Sequence, residues 1–285
     1  MEPKLVADYL CETGEGPIWH STARRLYWTD IPTGRMFWFD PETGQHQQFY
    51  EGASVGGFTV QKDGSLLLFM EKGAVATYRD GKLEYIIEEI PAERETRFND
   101  VAADPRGRVF CGTMPAPDHP GTLYRLDLNG SITPVVENVA VSNGIGFTGD
   151  LKQMYFTDSP THRIDVFDYD ASTGELSNRR PFVEIESNDG IPDGLTVDAE
   201  DHVWSARWDG PSICRYTPTG ESERRIWFPA RKVSSLTFGG PYLTDIYVTT
   251  AGGPNRAAEG PGAGGLFRLD LGIRGRSEFL SGIGL

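Results

Sequence analysis

Glu15-Gly16-Pro17-Ile18-Trp19, Leu26-Tyr27-Trp28-Thr29-Asp30 and Met36-Phe37-Trp38-Phe39-Asp40-Pro41-Glu42-Thr43-Gly44 follow one another near the N-terminus, and their order decides the fold. Aromatic and β-branched residues crowd these runs, while Gly, Pro, Asp and Asn separate them. That is the composition of short strands joined by tight turns. The middle run returns as Met154-Tyr155-Phe156-Thr157-Asp158 and Ile246-Tyr247-Val248-Thr249-Thr250, and more loosely as Leu66 to Phe69, Val109 to Thr113 and Val203 to Ala206. The third run returns, turn included, as Ile164 to Gly174 and as Ile213-Cys214-Arg215-Tyr216-Thr217-Pro218-Thr219-Gly220. Gly121-Thr122-Leu123-Tyr124-Arg125-Leu126-Asp127 and Gly265-Leu266-Phe267-Arg268-Leu269-Asp270 nearly duplicate each other.

The segments that precede the middle runs begin at Glu15, Gly56, Asn99, Asn143, Asp193 and Ser234, with spacings of 41, 43, 44, 50 and 41 residues. Each reaches the next strand after 10 to 12 residues, several across an Asp turn such as Asp104-Pro105-Arg106-Gly107 or Asp198-Ala199-Glu200-Asp201. Nowhere does an apolar period of 3.6 last the ~10 to 12 residues that a helix needs. Six units of about 40 to 50 residues, each with about four short strands, predict an all-β, six-bladed β-propeller. The blades consume nearly the whole chain and no linker interrupts them, so residues 1–285 are expected to form a single domain. The region around Val6 is expected to complete the last blade and close the ring, leaving no long sheet edge exposed.

Composition agrees. The chain has 285 residues, a net charge of −14, 34 Gly and 19 Pro. Gly and Pro together reach about 19% against a usual ~12%, which argues against a helical bundle. With 38% hydrophobic and 11% aromatic residues the chain can pack a core, so general disorder is excluded. The acidity disfavours nucleic acid or an anionic membrane as partner, and no run approaches the ~20 apolar residues of a membrane span. Met1-Glu2-Pro3-Lys4 has neither a basic region nor an apolar core. No signal peptide is therefore expected, and three scattered cysteines, Cys11, Cys111 and Cys214, fit a reducing cytoplasm. A monomer or weak homo-oligomer is expected.

Equivalent positions of a propeller converge on its axis. The six segment starts are therefore expected at one channel mouth, where two carboxylates and two amides would meet. Each carboxylate disfavours ionisation of the other, and a bound cation removes that cost. The expectation is an axial metal site with Glu15, Asp193 and the side-chain carbonyl of Asn143 as ligands. An oxygen set favours Ca²⁺, Mg²⁺ or Mn²⁺, and the affinity order also admits Zn²⁺ or Fe²⁺. Three protein ligands leave positions for water and substrate. Singly, Asn143-Gly144 and Asp193-Gly194 are ordinary turn dipeptides; their common offset carries the metal reading. Among five histidines without metal-ligand spacing, His119 stands in a loop, Pro115 to Gly121, that can reach a channel mouth.

At these residues the sequence resembles the senescence marker protein/gluconolactonase/luciferin-regenerating enzyme family, the regucalcin-like sugar lactonases. The resemblance runs along nearly the whole chain, through Gly14-Glu15-Gly16-Pro17-Ile18-Trp19, Arg97-Phe98-Asn99-Asp100, Gly112-Thr113-Met114 and Ser142-Asn143-Gly144. It continues through Phe167-Asp168-Tyr169-Asp170 with Ser177-Asn178-Arg179-Arg180, Ile191-Pro192-Asp193-Gly194 and Phe238-Gly239-Gly240. It implies one divalent ion on Glu15, Asn143 and Asp193, substrate held by Arg97 and Asn99, Asp193 in proton transfer, and hydrolysis of sugar lactones such as gluconolactone. Mammalian members place a Glu shortly after Gly-Thr-Met where this chain reads Pro115-Ala116-Pro117-Asp118-His119, so Asp118 and His119 are the substitute candidates. The alternatives are a related propeller hydrolase of aryl esters or phosphotriesters, and a metal-binding or scaffold propeller without turnover.

Overall fold

The computed structural model describes residues 2–285. Among them the chain forms six four-stranded antiparallel sheets, the blades of a six-bladed β-propeller. They fall into two compact units, each assembled from two pieces of chain.

The first unit comprises the residues up to 52 and residues 183–277. One of its sheets runs β2 (Gly14–His20), β3 (Arg25–Asp30), β4 (Arg35–Phe39), β5 (His46–Glu51). A second runs β18 (Ile191–Val197), β19 (Val203–Trp208), β20 (Ser212–Tyr216), β21 (Ser222–Trp227). The third joins β22 (Lys232–Gly239), β23 (Asp245–Ala251) and β24 (Gly265–Asp270) to β1 (Lys4–Asp8), with Lys4 opposite Arg268 and Asp8 opposite Gly265. The expected pairing of the Val6 region with the last blade is thus observed. Trp19, Trp28, Phe37, Phe39 and Tyr247 pack into one core cluster, and Trp204, Phe238, Val248 and Phe267 into another. Full burial of each such side chain stabilises by roughly 1.5–3 kcal/mol.

The second unit comprises residues 53–182 and 278–285. Its sheets are β6 (Val55–Val60) to β9 (Lys82–Ile87) through β7 (Leu66–Met70) and β8 (Val75–Arg79); β10 (Phe98–Ala103) to β13 (Ile132–Val139) through β11 (Val109–Thr113) and β12 (Gly121–Leu126); and β14 (Ser142–Phe147) to β17 (Glu175–Glu184) through β15 (Gln153–Asp158) and β16 (Arg163–Asp170). Neighbouring first strands nearly touch: a Cβ on Gly56 would lie 1.9 Å from the Phe98 carbonyl oxygen, so only glycine fits there. The last residues add a staple that the sequence reading did not assign. Ser281 bridges Gln61 in parallel, Ile283 N–H donates to Gln61 Oε1 at 2.9 Å, and Gly282 N–H donates to Gly107 O at 2.9 Å. Ile283 is buried in the cluster formed by Phe69, Phe98 and Leu126.

Burial falls from the first strand of a sheet to the last. All of β6 and β14 is buried, whereas β9 and β21 are mostly exposed. The turns are set by short acids. Asp104 Oδ1 accepts from the N–H groups of Arg106, Gly107 and Arg108, and Asp198 Oδ1 from those of Glu200 and His202. No helix among the described residues is long and apolar enough to cross a membrane.

Candidate active and metal site

All six first strands carry one extra residue against their partner, and the shift falls on the segment starts. Pairing steps from Glu15–Thr29 to Ile18–Tyr27, Val55–Met70 to Gly57–Phe69, and Phe98–Thr113 to Val101–Cys111. It also steps from Asn143–Thr157 to Ile145–Phe156, Pro192–Arg207 to Leu195–Ser205, and Val233–Thr250 to Ser235–Thr249. Glu15, Gly56, Asn99, Asn143, Asp193 and Ser234 therefore stand at or inside six equivalent β-bulges. A bulge breaks the ladder locally and re-aims a side chain.

In the second unit the structure brings Arg97, Asn99 and Asn143 into one chain of hydrogen bonds. Arg97 Nη1 donates to Asn99 Oδ1 at 2.7 Å; Asn99 Nδ2 donates to Ser142 O at 2.8 Å and to Asn143 Oδ1 at 2.9 Å. Asn143 Nδ2 donates to Ser159 Oγ at 2.8 Å. Chemistry fixes the orientation of both amides. A guanidinium only donates and a backbone carbonyl only accepts, so the Asn99 atom facing Arg97 must be oxygen and the one facing Ser142 nitrogen. Asn143 must then present oxygen to Asn99 and nitrogen to Ser159. Both asparagines are buried, at 8% and 7% exposure. Beside them the Asp100 carboxyl is pushed up to about 6 by burial, countered only partly by the Val101 N–H at 2.9 Å.

In the first unit, Glu15 and Asp193 are 8% and 5% exposed. Glu15 Oε2 accepts from Gly16 N–H at 3.0 Å. The two acids stand on strands that flank β22. Ser234 Oγ donates to Gly14 O at 2.5 Å on one side, and a Cβ on Gly194 would meet Ser235 Oγ at 2.2 Å on the other. Buried carboxylates such as these offer only oxygen donors, the type that fits a hard divalent ion.

The remaining candidates lie in the second unit. The Asp118 side chain is 85% exposed. His119 has Nδ1 2.8 Å from Pro120 O and Nε2 2.8 Å from Ala92 O. These two carbonyls raise the His119 pKa above the usual imidazole value, with Glu93 and Asp118 adding to the effect. The ring thereby ties loop 115–120 to the turn Pro91–Glu93, whose last residue, Glu93, is buried and accepts from Tyr124 OH at 2.7 Å.

A second acidic group among the described residues, Asp198, Glu200 and His202, has ligand atoms within 4.8 Å of one another. It does not fit a cation, because the buried Arg215 guanidinium already lies 2.7 Å from each of Asp198, Glu200 and Glu223. The three cysteines are buried thiols, and burial with Asp30 nearby pushes Cys11 up to about 12. Gly52-Ala53-Ser54-Val55-Gly56 and Gly144-Ile145-Gly146-Phe147-Thr148-Gly149 spell hydrolase-elbow and dinucleotide strings. No helix follows either one, and both run into or along first strands. They lack the strand-turn-helix context those chemistries need.

The sequence signature described as the SMP-30/gluconolactonase/LRE-like region matches residues 13–252. Pentonolactonase XacC of Haloferax volcanii is 46% identical, over 98% of this chain and 98% of that protein. Human regucalcin is 32% identical over 94% of each chain. The solved structure of a luciferin-regenerating enzyme superimposes with a TM-score of 0.88 at 28% identity, covering 98% of this chain and 99% of the other.

Proposed function

Because the chain belongs to the SMP-30/gluconolactonase/LRE-like family, we propose that it is a lactonase opening five- or six-membered aldonolactones to the aldonic acid. The observation that carries this reading is the 46% identity to a pentonolactonase along both full lengths. The site chemistry supports it. A relay of Arg97, Asn99 and Asn143 suits a ligand rich in hydroxyls. An apolar aryl ester offers no partner to the remaining Asn99 Oδ1 lone pair and few acceptors to the Arg97 guanidinium, and a buried polar group left unpaired costs about 1–3 kcal/mol.

One divalent ion, Ca²⁺, Mg²⁺, Mn²⁺ or Zn²⁺, is assigned to Glu15, Asn143 and Asp193. When bound, it supplies Lewis-acid polarisation of the lactone carbonyl. Asp193 accepts the proton of the attacking water, the acyl C–O bond of the ring breaks, and the proton passes to the ring oxygen as it leaves. Arg97 contributes a planar fork of donors for sugar oxygens, its Nη1 also holding Asn99. Asp118, exposed on loop 115–120, supplies the loop contact that selects among sugars, and His119 holds that loop through its bonds to Pro120 O and Ala92 O.

Acid release followed at constant pH on pentono- and hexonolactones, an aryl ester and a phosphotriester, with and without chelator, tests the reading. The expected result is chelator-sensitive hydrolysis of at least one lactone. Faster hydrolysis of the aryl ester or phosphotriester than of every lactone would overturn it.

A further inference from the structure

The relay that ends on Asn143 does not stop at the assigned site. Asn143 Nδ2 donates to Ser159 Oγ, on the turn Ser159–Thr161 that follows β15. Ser159 is 5% exposed, and its backbone N–H donates to Val141 O at 3.1 Å. The turn is therefore docked by its main chain, with the hydroxyl facing the Asn143 amide.

We propose that Ser159 is a positioning residue that fixes the Asn143 amide with its oxygen toward the divalent ion. The inference rests on the function proposed above. It follows from the polarity of the hydrogen bonds. Reversing the Asn143 amide would place its nitrogen against Asn99 Nδ2, donor against donor, and would turn its oxygen to Ser159. With Ser159 accepting, one orientation satisfies every atom. Without it, the buried Asn143 N–H loses its acceptor and neither orientation is satisfied. An outer partner of this type orients a ligand without touching the ion, and its loss usually weakens metal affinity by about 10- to 100-fold.

Ser159→Ala, Ser159→Thr and Thr161→Ala are compared with the unmodified full chain by calorimetric titration with Ca²⁺, Mn²⁺ and Zn²⁺. Nitrogen-15 NMR of the Asn143 side-chain amide is recorded alongside. Thr161 Oγ1 donates to Asp158 O at 2.6 Å in the same turn, so Thr161→Ala reports mere loosening of that turn. Ser159→Ala is expected to raise Kd for the ion by about 10-fold or more and to shift or broaden the Asn143 amide signals. Ser159→Thr, which keeps the hydroxyl, should restore both, and Thr161→Ala should leave both unchanged. Equal affinity for Ser159→Ala and the unmodified chain overturns the positioning role alone. Equal weakening in Ser159→Ala and Thr161→Ala also overturns it, since the effect is then structural. If the unmodified chain binds no divalent ion, the metal assignment beneath the proposal fails with it.

Discussion

Asn99 spends both amide hydrogens on Ser142 O and Asn143 Oδ1, and its oxygen already accepts from Arg97. It can offer a sugar only one lone pair, so its larger work is to buttress Asn143. The two ends of the relay should therefore respond differently. In Arg97→Ala the Ser142 carbonyl still fixes the Asn99 amide. Metal affinity should stay nearly intact while kcat/KM for lactone falls by about 10-fold or more, read by steady-state kinetics beside titration with the ion. On the proposed assignment, Asp193→Asn keeps an oxygen ligand but loses the proton acceptor, so with ion bound kcat should drop by about 10²-fold or more. A near-normal kcat would remove Asp193 from that role. The six segment starts were legible in the sequence through one repeated offset, and the six register shifts fall on them. Ser159 was not, because a serine after a strand has no pattern of its own; only the direction of its hydrogen bond gives it meaning.

At the level of elements, the recurring Thr-Asp ends of second strands acquire a reason. Asp30 accepts from Thr13 N–H at 2.9 Å, and Asp158 from Val141 N–H at 3.1 Å. Each acid latches the segment that enters the adjoining first strand. Second and third strands were readable because they are buried and aromatic. Fourth strands such as Lys82–Ile87 and Ser222–Trp227 were not, since exposure on both faces erases the alternation. The bulges were hidden too, for a single extra residue leaves no trace in composition. The motif Ser177-Asn178-Arg179-Arg180 is structural: Arg179 pairs with Asp165 at 2.6 Å, and Arg180 with Asp168 at 2.9 Å. Loop 115–120 carries a pH dependence of definite sign. His119 is raised above 6.5 by two carbonyls that a doubly protonated ring can satisfy together. Its contribution is full below that value and is lost as pH rises through the raised pKa. Urea unfolding of the unmodified chain and of His119→Gln should differ more at about pH 6 than at about pH 9. An NMR titration of the ring should have its midpoint above 6.5.

Over the whole molecule, the repeat arithmetic accounted for every blade but not for the staple at residues 278–285, whose sequence repeats none of the blade runs. Ile283 nonetheless lies in the core beside Phe69 and Phe98. Ile283→Ala should cost about 2–5 kcal/mol in stability, measured by denaturant unfolding; a loss under about 0.5 kcal/mol would show the tail to be dispensable. Both units are discontinuous in the chain, the first closing on β1 with β24 and the second on residues 278–285. That arrangement sets the timetable of biosynthesis. The ribosome makes β1 well before its partner β24, so at about 5–20 residues per second a nascent chain carries an unmated edge on the order of 10–60 s. The second unit waits longer still, until residues 278–285 are translated. A chain cut before Gly265 would therefore lack the closing pieces of both units rather than be one shortened body, with β1 left unmated and open to pairing with other chains.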